Sequence, residues 1–206
     1  MKLMVFDLDT ALCQSSAMEG LALCQAVEDL TGTPPSMDAP PVFTQFTSAV
    51  ATLLGREPTS EEVDVVRARF SVHLRRQMMI RTGVIDLNVR LIETMNRLMG
   101  RRDTVVGLVS SCCSRVMQLK ARSMGLVIDA VPSATLDDGE DLFDILNAIR
   151  TRVKRSYGFR FREATLVADA VWQPAAERSG FDWVAPSEFP VSGVSVDAPA
   201  SRKSLV

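Results

Sequence analysis

Two acidic residues close the first apolar run of the chain. Residues 3–6 are typical of a buried parallel strand, and Asp7 and Asp9 follow with one residue between them. Alternate side chains of an extended chain lie on one face, so both carboxylates are expected to converge where the strand ends. Two like charges held together need a cation or a shared proton. The pair therefore favours a metal-assisted site with one carboxylate as nucleophile, whereas a turn with two solvated acids is the simpler interpretation.

Two later apolar runs also end in polar residues. Residues 104–109 lead into Ser110 and Ser111, and residues 164–168 lead into Asp169. The carboxyl ends of parallel strands lie at one edge of a sheet, where α/β proteins bind their ligands. The hydroxyl of Ser110 can donate to an anionic oxygen, assisted by backbone N–H groups at the start of the next helix. Asp169 would add an oxygen ligand for a hard cation such as Mg²⁺.

The elements that position these residues can be predicted from apolar periodicity and stop signals. The pattern predicts helices over 15–30, 42–54, 59–80, 84–99, 115–124, 141–155 and 174–179, and strands over 3–6, 104–109, 127–131, 164–168 and 183–185. Thr59 and Glu62 have the spacing of a capping box at the start of the third helix.

Strands and helices alternate in two blocks that are separated by an all-helical stretch. This order predicts a three-layer α/β core with a Rossmann-like parallel sheet, formed by residues 1–13 and 83–190. Residues 14–82 are expected to form a small α-helical cap, inserted after the first strand and lying over the carboxyl edge of the sheet. Residues 191–206 are rich in Ser, Pro and Val without a clear period and are expected to be a loosely ordered tail.

Composition narrows the class of protein. With 206 residues and 47% hydrophobic content the chain can bury a sizeable core, and a net charge of −2 gives no electrostatic reason to expect nucleic acid or an acidic membrane as partner. No apolar stretch approaches the ~18 residues of a membrane span. The N-terminus lacks the apolar core of a signal peptide, and the four cysteines have no disulfide or zinc spacing. A cytoplasmic location is therefore expected.

The ordered set of motifs resembles the haloacid dehalogenase (HAD) superfamily of hydrolases. The matching segments are Val5-Phe6-Asp7-Leu8-Asp9, Gly107-Leu108-Val109-Ser110, Met124-Gly125-Leu126 and Leu166-Val167-Ala168-Asp169-Ala170-Val171-Trp172. They span the whole order of motifs outside the tail, and the helical block stands where a cap would follow the first motif. The resemblance implies a HAD-like fold and a Mg²⁺-dependent phosphatase that acts on a small phosphorylated metabolite, a phosphomonoester.

The same resemblance implies a role for each site residue. Asp7 would attack phosphorus to form an aspartyl-phosphate, and Asp9 would protonate the leaving group. Ser110 and Ser111 would bind the phosphoryl group. Mg²⁺ would be held by Asp7, the Asp9 carbonyl and Asp169, where its charge would offset the repulsion between carboxylate and phosphate.

Several positions depart from the family pattern. Asp-x-Asp is usually followed by Gly-Thr, but here by Thr10 and Ala11, and the second acid of the fourth motif is replaced by Gln173. The third motif should supply a Lys or Arg, yet residues 139–144, which include Phe143, contain no cation.

Because the third-motif cation is missing, three other residues are candidates to replace it, and two functions other than phosphatase stay open. Arg150, Lys154 and Lys120 are the candidates to replace it, and sequence spacing does not select among them. The departures also support a catalytically degenerate HAD-fold protein that serves as a binding or assembly module. A third possibility is a small-molecule dehalogenase, in which Asp7 would attack carbon without a metal.

Overall fold

A computed structural model of the chain describes residues 1–35, 46–80, 86–158 and 161–190. In chain order its strands and α-helices are β1 (Lys2–Asp7), β2 (Cys13–Gln14), α1 (Ser16–Thr31), α2 (Phe46–Leu54), α3 (Ser60–Ile80), β3 (Asp86–Leu87), α4 (Val89–Met99), β4 (Thr104–Val109), α5 (Ser114–Ser123), β5 (Ser133–Ala134), α6 (Leu142–Tyr157), β6 (Glu163–Val167), α7 (Gln173–Ser179) and β7 (Asp182–Val184). A π-helical turn over Leu8–Leu12 and short 3₁₀ turns over Leu136–Asp138 and Ala170–Trp172 complete the list.

The centre of the molecule is a five-stranded parallel sheet with the order β5-β4-β1-β6-β7. The chain runs from β1 outward through β4 to β5 and then crosses to β6 and β7, so the direction of winding reverses at β1. Asp7 pairs with Val109, and Phe6 pairs with Val167. The ends of β1, β4 and β6 therefore lie at one level of the carboxyl edge, at the reversal point where open α/β sheets bind ligands.

The sheet is the middle of three layers. On β1, Leu3 and Val5 belong to the apolar cluster formed with α6 and α7, whereas Met4 and Phe6 belong to the cluster formed with α4 and α5. This alternation follows from the period of two along a strand, and burial of both faces explains why β1 and β4 are almost continuously apolar. The three-layer, Rossmann-like α/β core predicted from the sequence is confirmed.

Helices α1, α2 and α3 share an apolar cluster of their own. This cluster also contains two buried residues of the α/β core, Cys112 just before α5 and Val116 within it. The three helices therefore pack against the core directly beside the carboxyl edge. The capping box is confirmed, since Thr59 N–H donates to Glu62 Oε2 over 2.8 Å and Glu62 N–H donates to Thr59 Oγ1 over 3.2 Å. The division into core, cap and tail remains a prediction, and residues 81–85 and 191–206 fall outside the described ranges.

Two predicted elements differ from the structure. The strand predicted over 127–131 is wrong: the stretch forms a turn in which Val131 N–H donates to Ile128 O over 2.9 Å, and pairing with β4 begins only at Ser133. The helix predicted from residue 84 begins at Val89, because Asp86–Leu87 pair with β2 and the Asn88 side chain caps the helix. Residues 42–45 of the predicted second helix lie outside the described part. No helix within the described ranges has the length and apolar character needed to cross a membrane.

Candidate functional site

The turn after β1 is a π-helix. Cys13 N–H donates to the carbonyl of Leu8, five residues earlier, and Asp7 caps the start of this turn. The Asp7 carboxyl accepts hydrogen bonds from the backbone N–H of Asp9 over 3.3 Å and of Thr10 over 3.0 Å. Because the strand ends at Asp7, the alternation of an extended chain does not relate Asp9 to Asp7, and their two side chains meet different partners.

Asp7 is buried without a positive partner. Its third hydrogen bond comes from the Thr10 hydroxyl, 2.5 Å from Oδ2, and no cationic side chain within the described ranges contacts it. Burial, reinforced by the charge of Asp9, raises the pKa of the Asp7 carboxyl to about 8. A carboxyl in this setting favours its protonated form at neutral pH unless a cation is supplied.

Thr10 links Asp7 to the end of β6. Its hydroxyl oxygen accepts the Asp169 backbone N–H over 3.1 Å while the hydroxyl donates to Asp7. The Asp169 side chain is exposed, and its Oδ1 accepts the N–H of Ala170 over 2.5 Å. Gln173, which stands where the family pattern has a second acid, donates instead to Glu177 within α7 over 3.0 Å. The β-branched residue at position 10 therefore joins two strand ends that the sequence predicts to be neighbours.

Asp9 is held by four donors. Its Oδ2 accepts from the Ser110 hydroxyl over 2.7 Å, the Ser111 N–H over 2.8 Å and the Ser111 hydroxyl over 3.1 Å. Its Oδ1 accepts from the Lys120 ammonium over 2.5 Å. The serines predicted to bind phosphate thus donate to the predicted acid in this conformation, and the Ser110 oxygen also accepts the N–H of Cys112 over 3.1 Å.

Lys120 lies at the centre of a buried charged cluster, which we call the Lys120 cluster and define as Asp9, Glu19, Cys112 and Lys120. The ammonium donates to Asp9, to Glu19 Oε1 and to Cys112 Sγ, the last over 3.6 Å. Glu19 also accepts from the Ser15 hydroxyl, and its Oε2 accepts from the Cys112 thiol over 3.7 Å. The ligand atoms of Asp9, Glu19 and Cys112 lie within 4.8 Å of one another, close enough to hold a metal ion, but the ammonium already supplies the positive charge there.

The charges in the Lys120 cluster stabilise one another. Burial opposes ionisation of Asp9, but the charge and hydrogen bond of Lys120, together with the hydrogen bonds from Ser110 and Ser111, outweigh it and lower the pKa of Asp9. Burial would likewise lower the pKa of Lys120, yet the acidic groups around it, led by Asp9, raise that pKa well above its ordinary value. Asp9 is therefore a carboxylate and Lys120 an ammonium at neutral pH.

The three candidates for the missing cation lie in two places, two of them away from the predicted site and one beside it. Arg150 and Lys154 line a cleft of about 390 Å³ together with Leu3 and Ala164, near the amino ends of β1 and β6 and away from the site. In the segment that should supply the cation, the Phe143 ring is covered by the guanidinium of Arg178, a residue outside the three candidates, which lies 4.4 Å from the ring centroid. Of the three candidates, Lys120 is the one that contacts a predicted site residue, and it contacts Asp9 rather than Asp7.

The residues present fit a hard divalent cation at Asp7. The buried Asp7 carboxyl has only neutral hydrogen-bond donors, and the hydroxyl of Thr10 that contacts it also accepts the backbone N–H of Asp169, whose side chain is exposed. Oxygen donors of this kind suit Mg²⁺. The carboxylate of Asp9 is committed to Lys120 and the serines, so the carbonyl of Asp9 is the group it has left to offer a metal.

The predicted catalytic residues are enclosed. Asp7 and Ser110 expose no side-chain surface, and Asp9 is only 5% exposed. A cleft of about 400 Å³ reaches Thr10 from outside and is bordered by Cys13 and Pro186. A phosphorylated molecule can reach Asp7 only if residues around the site move.

Sequence reasoning missed Glu19 and did not single out Lys120, although both leave a signal in the sequence. Glu19 adjoins Met18 and precedes Ala22 by three residues, on the buried face of α1. Lys120 lies four residues after Val116, on the buried face of α5. A charged residue at helical spacing among apolar residues is buried and needs a partner of opposite charge. Here Glu19 and Lys120 are partners of each other.

No family model and no curated protein matches this sequence. Solved structures do resemble it. CbbY from Rhodobacter sphaeroides, in complex with phosphate, is 13% identical with a TM-score of 0.71, over 89% of this chain and 84% of that chain. A HAD hydrolase from Entamoeba histolytica is 15% identical with a TM-score of 0.68, over 90% and 83%. A hydrolase from Pseudomonas syringae is 19% identical with a TM-score of 0.65, over 89% and 83%. The fold expected from the motif resemblance is confirmed: this chain has the fold of the haloacid dehalogenase-like hydrolases.

Proposed function

We propose that the chain is a Mg²⁺-dependent phosphomonoesterase of the HAD type, in which Asp7 is the nucleophile. The observation that carries this proposal is the position of Asp7, a buried carboxyl at the carboxyl end of the central strand that has no cationic partner among the described residues. Such a carboxyl is poorly compensated on its own and well suited to a site that receives a cation and a phosphate together. The likeness to CbbY structures that hold phosphate or xylulose-1,5-bisphosphate supports a phosphorylated substrate.

In this proposal each described residue has a defined task. Asp7 attacks phosphorus, and the bond to the leaving-group oxygen breaks as the aspartyl-phosphate forms. Asp7, Asp169 and the Asp9 carbonyl would hold Mg²⁺, whose charge offsets the repulsion between carboxylate and phosphate. Ser110 and Ser111 turn their donors from Asp9 to the phosphoryl oxygens. Asp9, whose Oδ2 is free once the serines turn away, takes a proton from solvent and delivers it to the leaving-group oxygen. It then takes a proton from the water that attacks the aspartyl-phosphate, which releases phosphate and regenerates Asp7.

We further propose that turnover is slow or narrowly selective. Asp9 is a hydrogen-bonded carboxylate rather than an acid, and Ser110 is occupied by it. Both must rearrange when the cap opens to admit a substrate, and no Lys or Arg among the described residues contacts Asp7 to replace the missing third-motif cation.

A second candidate function is supported by a specific observation. The Lys120 cluster binds the predicted acid tightly to two neighbouring segments, as expected of a HAD-fold protein that has lost hydrolysis and keeps its site as a structural element. Such a protein would act as a binding or assembly module through its cap or surface.

The deciding experiment is a Mg²⁺-dependent assay of the purified chain against a panel of phosphomonoesters, with inorganic phosphate as the measured product. Turnover that requires Mg²⁺ and disappears in Asp7→Asn supports the phosphatase. Chloride or fluoride release from haloacids without metal would support a dehalogenase instead. Absence of both activities, together with an inert Gln173→Asp variant carrying Phe143→Lys, would favour the non-hydrolytic module.

A further inference from the structure

We propose that Lys120 is the positioning residue of Asp9 and that, through Glu19, it makes the placement of Asp9 depend on docking of the helical cap. For its catalytic consequence this inference rests on the proposed function. The structural part, a charged link between cap and core, stands on the geometry of the Lys120 cluster alone.

The link joins three segments that are far apart in the sequence. Asp9 belongs to the turn after β1, Lys120 to the core helix α5, and Glu19 to α1, the first helix of the predicted cap. The ammonium of Lys120 contacts a carboxylate oxygen on each of the other two. A movement of α1 away from the core therefore has to separate Glu19 from Lys120.

The ammonium has no spare donor. Its three N–H groups have three acceptors, namely Asp9, Glu19 and Cys112, and the Lys120 side chain is fully buried, with 0% of its surface exposed. A buried charge that loses a partner is left uncompensated unless water enters. The docked position of α1 is thus the one in which Lys120 is completely satisfied.

Lys120 also determines the orientation of the Asp9 carboxylate. The serine donors all bind Oδ2, whereas Lys120 is the partner of Oδ1. Two oxygens held from two sides fix the plane of the carboxylate, and with Oδ2 alone held the group can rotate. This makes Lys120 a positioning residue for Asp9, and Glu19 the means by which the cap affects that position.

Hydrogen exchange of the full chain tests the link without requiring any activity. In Lys120→Met, Asp9 and Glu19 face each other without a cation, and we expect amide exchange in α1 to rise at least about tenfold over that in α6. Adding Glu19→Gln removes the repulsion and should return α1 part of the way towards the wild-type rate. A double variant that exchanges as fast as Lys120→Met, or faster, would show that Lys120 only fills space and would overturn the proposal.

Glu19→Gln alone keeps the test valid if Lys120→Met does not fold. It should raise exchange in α1 and leave α6 unchanged, because Lys120 loses one charged partner. The matched control is Arg56→Met, which breaks an exposed ion pair with Glu62 inside the cap and should leave α1 at the wild-type rate. Unchanged α1 exchange in Glu19→Gln, or an equal rise in the control, would count against the link.

Steady-state kinetics with p-nitrophenyl phosphate then test the catalytic consequence. Glu19→Gln should lower kcat at least about tenfold and leave KM within about twofold, because the Asp9 side chain is displaced while Asp7, Asp169 and the Asp9 backbone carbonyl stay in place. Lys120→Arg, which keeps the charge, should retain more kcat than Lys120→Met. An equal loss in both Lys120 variants would refute positioning by charge. A wild-type chain without turnover would defeat the proposed function while hydrogen exchange still decides the link.

Discussion

The two sides of the turn after β1 place the same residue type in opposite environments. On the side of β6, Asp7 receives only neutral donors, and burial raises its pKa to about 8. On the side of α5, Asp9 receives an ammonium and two serines, and its pKa is lowered. Two carboxyl groups separated by one residue thus favour opposite protonation states at neutral pH, because Lys120 contacts Asp9 directly, whereas its charge does not outweigh the burial of Asp7.

These protonation states are the reverse of those that phosphoryl transfer would need. A phosphatase needs an ionised Asp7 to attack and a protonated Asp9 to assist the leaving group, whereas the enclosed site favours the reverse. Cation binding at Asp7 would favour its ionised form, and release of Asp9 Oδ2 by Ser110 and Ser111 would allow Asp9 to be protonated there while Lys120 still holds Oδ1. The contrast can be tested by removing the charge of Lys120 beside Asp9 and by supplying a cation to Asp7.

The largest effect is expected on the compensated side. Lys120→Met should lower the free energy of unfolding by about 3–5 kcal/mol, the cost of breaking a buried ion pair by removing one partner. Urea denaturation at pH 7 measures it. The control is Lys154→Met, an exposed lysine on α6, which should change stability by less than about 0.5 kcal/mol. A loss below about 1 kcal/mol in Lys120→Met would mean that the Lys120 cluster is not charged as described.

On the uncompensated side the effect depends on pH. The folded chain keeps a proton on Asp7 up to about pH 8, whereas an ordinary aspartate, with a pKa of 3.8, releases it. Stability contributed by Asp7 is therefore present at low pH and is lost as the pH rises from about 4 to about 8. In EDTA, Asp7→Asn should be more stable than the wild type by at least about 1 kcal/mol at pH 8 and show no such gain at pH 4. Parallel pH profiles of the two proteins would contradict the raised pKa.

Mg²⁺ bound at Asp7 should stabilise the folded chain, whereas ionisation of Asp7 without a cation destabilises it. If Asp7 and Asp169 hold the ion, Mg²⁺ at ten times its dissociation constant stabilises the wild type by about 1.4 kcal/mol at pH 8. Thermal denaturation with and without the ion measures this shift. Asp7→Asn and Asp169→Asn should each lose most of it. An equal Mg²⁺ shift in both variants would place the ion elsewhere.

The smallest effect concerns the Thr10 hydroxyl, which links the ends of β1 and β6. Thr10→Val keeps the shape but removes one hydrogen bond to Asp7 and the acceptor for Asp169 N–H, at a cost of about 1 kcal/mol. Thr10→Ser retains the hydroxyl and should stay closer to the wild type. Equal stability of the two variants would show that the link contributes nothing.

Most of the fold could be predicted because it follows from periodicity. Alternating and continuous apolar runs identify β1, β4 and β6, and the Thr59 capping box locates the start of α3. The failure near residue 127 has a local cause. Val127 is apolar but 79% exposed, so hydrophobicity predicted a strand where a turn occurs.

The site was predictable only in part. The order of strand ends brings Asp7, Ser110 and Asp169 to one edge, and that depends on topology alone. The partners of Asp9 are Lys120 in α5 and the serines before α5, which lie more than a hundred positions away in the sequence. Strand alternation after Asp7 also failed, because the chain enters a π-helical turn there and redirects Asp9.

Complete burial of Asp7 and Ser110 has a kinetic consequence. A molecule that binds there must wait for the protein to open, so its observed binding rate cannot rise indefinitely with concentration. It should level off at the rate at which the protein opens the site, whatever the ligand. Two unrelated phosphorylated ligands would then share one limiting rate, and that rate would be a property of the protein.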